Sequence, residues 1–233
     1  MITLARRKRG IPYRLVWFDP EPRFLLWPPT VYYQSPGQGS RPGLVRKAFH
    51  TYLTTLAGGP ESWLATMSST TRNEIKQAAK SGVVGETVSL EAFLEFFNAF
   101  AAEKGIDGTT MDKLASFGQA LKLTAVRSED RVLAMHALAV DPQAGRGRLL
   151  LSASARFLDS ADRTKVGKAN RWLHWWDMTI LFQAGIAAYD WGGYAKDTQD
   201  TAKQGINRFK EAFGGTPVEE SHYFPFYLAG FQD

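Results

Sequence analysis

The 233 residues predict an α+β fold, a mixed and mainly antiparallel sheet flanked by helices. Three observations carry that prediction. Strand-like runs follow one another at Lys122–Arg127, Arg131–Val140 and Arg148–Phe157, broken by Ser128-Glu129-Asp130 and by the loop from Pro142 to Gly147, which is the pattern of an antiparallel meander. After the meander the order becomes helix, strand, helix, strand, so strands and helices do not alternate throughout as they would in a doubly wound parallel sheet. In the second run both alternating faces are apolar apart from His136, which places that strand inside the sheet with both sides covered.

The remaining elements follow in order. Up to about residue 43 the chain reads as strands, Tyr13–Phe18 and Thr30–Tyr33, and prolines at 12, 20, 22, 28, 29, 36 and 42 confine them to short or edge positions. A loop at Gly37-Gln38-Gly39-Ser40 precedes Leu44–Leu56, whose apolar spacing is helix-like and ends at Gly58-Gly59. Thr71-Arg72-Asn73-Glu74 has capping-box spacing and predicts a helix over Arg72–Ser81 that Gly82 stops. Val83–Ser89 is extended; Phe93, Leu94, Phe96, Phe97 and Phe100 lie on a helix running to Gly105, and Met111–Leu121 is another. Beyond the meander come a long helix from Gly167 to Ala184 stopped by Gly185, a strand Ile186–Asp190, a helix Thr198–Phe213 stopped by Gly214-Gly215, and a last strand Pro217–Phe224. With no internal repeat or interdomain linker, residues 1–60, basic strands and a helix, are expected to join the same domain as residues 61–233.

Composition narrows the function. At 44% hydrophobic and 22% charged residues the chain buries a core and lacks the signature of disorder. No cysteine is present, which excludes disulfides, thiol catalysis and thiolate metal sites. His50, His136, His174 and His222 show no paired ligand spacing, so no metal is expected. There is no Gly-x-Ser-x-Gly elbow and no Walker loop. Residues 1–60 hold nine Lys/Arg against Asp19 and Glu21, a net +7, and the rest of the chain is −2, so an anionic partner would meet the N-terminal quarter. No apolar run approaches the roughly 18 residues of a membrane span. The basic start, Arg6 to Arg9, leads into Gly10-Ile11-Pro12 rather than an apolar signal core, and a cytoplasmic protein is expected.

One stretch has phosphate-binding character: a strand ending near Phe157, a polar loop Asp159–Thr164, then Val166-Gly167-Lys168-Ala169-Asn170 opening a helix, with Arg163, Lys165 and Lys168 adding charge. Following a meander, it resembles the loop of the GNAT acyltransferase superfamily, Gln/Arg-x-x-Gly-x-Gly/Ala, with Gly167 and Ala169 matching and Thr164 in the Gln/Arg position. Three blocks narrow the likeness to the FemAB branch of that superfamily: Met67 to Ala78, ahead of Gly82-Val83; Val166 to Trp175; and Tyr189-Asp190-Trp191-Gly192-Gly193 with Gly205 to Gly215. They span roughly residues 65 to 224, in what looks like a single-domain relative.

The resemblance implies transfer of an activated acyl group to an amine or hydroxyl of a small molecule or sugar precursor. The donor is acyl-CoA, an acyl carrier protein or an aminoacyl-tRNA. Val166, Gly167, Lys168, Ala169 and Asn170 would cradle the donor pyrophosphate. His136, mid-strand where such enzymes place an acid–base residue beside splayed strands, is the candidate base. Tyr223 is the candidate acid, Asp190 a ligand-facing strand end before Gly192-Gly193, and Lys210 or Arg208 a phosphate contact. His174 and Asp177 lie three apart and can pair on one helix face. With an aminoacyl-tRNA donor, Arg6–Arg14 with Arg41, Arg46 and Lys47 would grip RNA phosphates, and Thr164 favours that donor. A third class is a non-catalytic binding protein on the same fold. Trp17, Trp27, Tyr32 and Tyr33 offer a face for a homodimer.

Overall fold

A computed structural model of the chain describes residues 1–8, 10–155 and 163–230. Ile2–Lys8 (β1) and Ile11–Trp17 (β2) form an antiparallel hairpin, turning near Gly10, whose φ of 82° suits glycine. Thr30–Ser35 (β3) pairs in parallel with β2. Leu44–Thr55 (β4) is a strand, which corrects the helix expected over Leu44–Leu56. Its apolar spacing fits either period, but Val45, Phe49, Thr51, Tyr52, Thr54 and Thr55 are β-branched or aromatic, and its two neighbours in the sheet decide the matter.

Pro60–Thr66 (α1) and Ser69–Lys80 (α2) follow. The cap of α2 is Ser68, whose hydroxyl accepts from Thr71 N–H at 3.2 Å, three residues before the expected capping box; Gly82, with φ 76°, follows the last turn as expected. Val84–Thr87 (β5) precedes Leu90–Lys104 (α3), which closes on the left-handed Gly105. The next helix, Met111–Ala115 (α4), is shorter than expected and leads to a 3-10 turn at Gly118–Ala120.

Leu121–Ser128 (β6), Arg131–Asp141 (β7) and Arg146–Ser154 (β8) form the antiparallel meander. The end of the expected strand at Phe157 and most of the following loop lie outside the described residues. The long helix Arg163–Gln183 (α5) is under way before Gly167. Ala188–Gly193 (β9), Thr201–Glu211 (α6) and Thr216–Pro225 (β10) complete the chain. Asp200 caps α6 by accepting from the N–H groups of Ala202 and Lys203.

Among the described residues ten strands form one sheet in the order β1-β2-β3-β10-β4-β9-β8-β7-β6-β5. Among these described pairs, β2–β3 and β8–β9 are parallel and the others antiparallel. One face is covered by α1, α2 and α5, where Trp63, Ile75, Leu173, Met178 and Leu181 meet Leu138, Tyr189 and Trp191. On the other face Phe93, Phe97 and Phe100 of α3 cover Leu123, Ala125, Met135 and Ala137. The sheet curls so far that its first strand in space returns to its eighth: Ile2, Leu4 and Trp17 pack with Phe117 and Ala139, and the N-terminal ammonium meets Asp141 at 3.1 Å. That curl buries Trp17, and Tyr32 is buried against Val16 and Tyr223, which removes both from any dimer face; of the four aromatics singled out for one, only Trp27 is exposed. Among the described residues no helix is long and apolar enough to cross a membrane.

Candidate active site

The parallel strands β8 and β9 pair only at Arg146–Arg148 with Ala188–Asp190, and then each runs on without the other. Gly192, with φ 73°, turns β9 away. Two polar clusters flank this divergence, one on each face of the sheet.

On the α5 face, alternation along β7 points His136 at the helix. Its Nδ1 lies 2.6 Å from Asp177 Oδ2 and its Nε2 lies 3.1 Å from Asn170 Oδ1. Both ring nitrogens therefore face oxygen atoms as placed, and with Nδ1–H on Asp177 an Asn170 amide turned to donate would satisfy Nε2. His136 and Asp177 are wholly buried, whereas Asn170 is half-buried. The expected pairing of His174 with Asp177 is corrected: Asp177 crosses to β7, and His174 Nδ1 meets the Tyr189 hydroxyl at 2.9 Å. Burial, with His136, Arg171 and Lys210 nearby, pushes His174 well below the usual histidine range. Burial, then Asp177 and Asp190, pushes the Tyr189 phenol well up. His136, His174 and Asp177 also form a trio with donor atoms within 4.8 Å of one another, which sequence spacing could not show because β7 supplies one member. Its two imidazole rings are tilted by 34° with centroids 4.1 Å apart; Asp177 Oδ2 is engaged by His136 and one nitrogen of His174 by Tyr189, while Asp177 Oδ1 has no hydrogen-bond partner among the described residues.

On the opposite face Asp190 is saturated. It accepts from Gln34 Nε2 at 2.9 Å, Arg146 Nε at 2.9 Å, Gly192 N–H at 2.8 Å and the Thr51 hydroxyl. Glu220 holds Arg146 through two bonds, 2.5 and 3.1 Å, and Gln34 through another at 3.0 Å. Burial raises the Glu220 carboxyl, and the Arg146 and Gln34 bonds oppose that shift. Sequence reasoning missed Gln34, Thr51, Arg146, Arg148 and Glu220. The available signal was Arg146-x-Arg148, two cations on one face at the start of a strand.

Lys210 reaches the divergence from α6. Its ammonium donates to Gly192 O at 3.4 Å and to Gly193 O, and burial pushes it down to about 8 against the pull of Asp190. Beyond Gly193 a cleft of about 360 Å³ opens, lined by Phe49, Tyr194, Lys203, Ile206 and Asn207 among others.

The expected cradle at 166–170 is rearranged. Because α5 is helical from Arg163, the unpaired N–H groups of its first turn precede Gly167, and the N–H of Gly167 is committed to the helix. Val166 and Ala169 are buried in the core, Asn170 serves His136, and only Gly167 and Lys168 are left half-buried at the surface. A Cβ on Gly167 would meet only Arg171 Nη1 at 3.8 Å among the described residues, so close packing does not require this glycine. Tyr223 is corrected as a partner for His136. It is buried, its hydroxyl donates to Gly39 O at 2.6 Å and Gly37 O at 3.2 Å, and three strands lie between β10 and β7. That separation is four strand spacings, roughly 19 Å along the sheet, so the two side chains cannot serve one scissile bond.

No family model and no curated protein matches the chain. Solved structures do. A crystal structure of FemX superposes with a TM-score of 0.65 at 14% identity over 79% of this chain and 66% of that one. The C-terminal domain of a protein described as a lysylphosphatidylglycerol synthetase from Agrobacterium fabrum gives 0.55 at 14% over 84% and 67%. L-PGS from Bacillus licheniformis gives 0.54 at 13% over the same shares. The chain thus spans about two thirds of each of these proteins. Similarity at this level of identity concerns the fold alone, and this chain shares the fold of the FemX structure and of the two synthetase structures.

Proposed function

We propose that this protein is an acyltransferase that moves an acyl group from acyl-CoA or an acyl carrier thioester to an amine or hydroxyl of a small molecule or sugar precursor by direct attack. The observation that carries the reading is the early parting of β8 and β9, with the His136–Asp177 dyad on the neighbouring strand and Lys210 at the rim. Asp177 accepts the Nδ1 proton of His136, which leaves Nε2 to take the acceptor's proton where Asn170 now sits. As the acceptor nitrogen or oxygen bonds to the carbonyl carbon, the carbonyl oxygen gains charge and faces the Lys210 ammonium. The carbon–sulfur bond then breaks, and the departing thiolate takes up a proton from water. The cleft beyond Gly193 admits a small acceptor. A site in a cleft needs no membrane span, and a cytoplasmic setting follows from the nature of the donor.

A second reading replaces the thioester with the ester of an aminoacyl-tRNA. It is favoured by the likeness to FemX and to lysylphosphatidylglycerol synthetases, and by the helix start upstream of Gly167, which takes the expected pyrophosphate cradle apart. Exposed Arg7 and Arg14 on the β1–β2 hairpin would meet RNA phosphates. The test is thiol release from acetyl-CoA with a panel of amines, run beside deacylation of charged tRNA. Release that falls at least 100-fold in His136→Gln supports the first reading. Deacylation that falls in that variant, together with salt-sensitive RNA binding, supports the second. A chain that binds and turns over neither donor counts against both and leaves the non-catalytic class.

A further inference from the structure

The polar cluster on the curled face of the sheet has one cation more than its carboxylates can hold. Arg146 uses Nε on Asp190 and both terminal nitrogens on Glu220, and Gln34, Thr51 and Gly192 N–H occupy the rest of those carboxylates. Arg148, two residues along β8 and on the same face, receives what is left. Its Nε stands 3.9 Å from Asp190 Oδ2, buried and without a hydrogen-bond partner among the described residues. The guanidinium otherwise has Leu149 O at 3.5 Å and the ring of Trp17 at 4.8 Å, and the indole N–H of Trp17 is likewise buried and unpartnered. From the other face Lys210 closes on the same residue, Gly192, whose added Cβ would lie 3.4 Å from Arg148 Nη2. Burial pushes both cations down, with Arg146 adding to the effect on Arg148 and Arg148 to that on Lys210. A buried guanidinium whose nearest described carboxylate is 3.9 Å away and already saturated by other donors is strongly unfavourable, and an apolar side chain would fill this position at lower cost.

We propose that Arg148 is the binding residue for a carboxylate on the substrate, so that the acceptor of this transferase is a carboxylic acid such as an amino acid. Charge selects the class: Arg146, Arg148 and Lys210 oppose Asp190 and Glu220, a surplus of one positive charge that a carboxylate cancels and a phosphate dianion overshoots. Geometry agrees, because the flat guanidinium fork takes a carboxylate through two parallel bonds. The side chain keeps 15% of its surface exposed, which leaves a route to it, and Gly192 adjoins Gly193 at the floor of the acceptor cleft. That the carboxylate belongs to the acceptor rests on the acyltransferase reading; that Arg148 binds a carboxylate does not.

The experiment is calorimetric titration of the full chain with phenylalanine, benzoate and acetate, each beside its amide, and with inorganic phosphate. Saturable binding of the acids but not the amides, weakened at least tenfold in Arg148→Gln, is the expected result. Arg148→Met should fold with a melting temperature equal to or above that of the unaltered chain. Equal binding of acid and amide, binding undiminished in Arg148→Gln, or tighter binding of phosphate overturns the proposal. So does loss of folding in both variants, which would make the guanidinium a structural group. His136→Gln separates the two ideas: it should slow transfer at least 100-fold and leave carboxylate binding intact, and binding without transfer in the unaltered chain would count against the acyltransferase reading alone.

Discussion

Asp177 on α5 holds His136 on β7 with a carboxylate oxygen 2.6 Å from Nδ1, and neither side chain keeps any exposed surface. A carboxylate on Nδ1 fixes the tautomer and leaves Nε2 as the basic nitrogen. His136→Gln and Asp177→Asn should each slow acyl transfer by about 10²–10⁴-fold, the range of general base catalysis. Because the two act as a unit, the double variant should be little slower than either single one. Thiol-release kinetics on proteins with unchanged circular dichroism make the comparison, and additive losses would count against a shared role.

His222 supplies a pH dependence of stability. Gln34 N–H donates to its Nδ1 at 3.0 Å, so the ring is held neutral, and burial, with Arg148 nearby, pushes it down to about 4. From about 4 to the ordinary value of 6.5 the unfolded chain binds a proton that the folded chain refuses. Stability from this group is therefore complete above pH 6.5 and is lost as pH falls through 4, a difference on the order of 3 kcal/mol. His174 acts in the same direction. His222→Phe keeps a ring between Tyr33 and Phe49, and its urea midpoint should fall less between pH 7 and pH 5 than that of the unaltered chain.

Asp190 holds Lys210 up as well as pairing Arg146. Asp190→Asn should move the Lys210 ammonium below about 8, read by the pH dependence of its reaction with an amine reagent. It should also destabilise the fold by roughly 3 kcal/mol, the cost of breaking one side of a buried ion pair. An unchanged Lys210 titration would show that burial alone sets its value.

Gly147 lets α5 lie close on β8. An added Cβ would stand 2.5 Å from Leu181 Cδ1, and the glycine pairs with Tyr189 in the short parallel ladder. Gly147→Ala should cost about 1–3 kcal/mol, the range for overpacking a core, and should slow transfer too, since α5 carries Asp177 and Asn170. A melting scan beside the kinetic assay tests both effects.

Where a local signal sufficed, the sequence was legible. The meander, the burial of β7 on both faces, and the helix ends at Gly82, Gly105, Gly185 and Gly214 all follow from alternation and from glycine's access to positive φ, properties of neighbouring residues. His136 was found because a polar residue in an apolar strand is conspicuous, but its partner was not, since Asp177 is equally well spaced to face His174 three residues away.

The sequence by itself thus determined the order and kind of most elements, the charge of the N-terminal quarter and the place of the histidine in the sheet, because short-range periodicity and residue chemistry encode them. Only the tertiary structure decided that Leu44–Thr55 is a strand, that α5 begins before Gly167, and that Gln34, Thr51, Arg146, Asp190 and Glu220 share one buried network. Those outcomes depend on partners up to 186 residues apart, Gln34 and Glu220 among them, which the curl of the sheet brings together and no local pattern records.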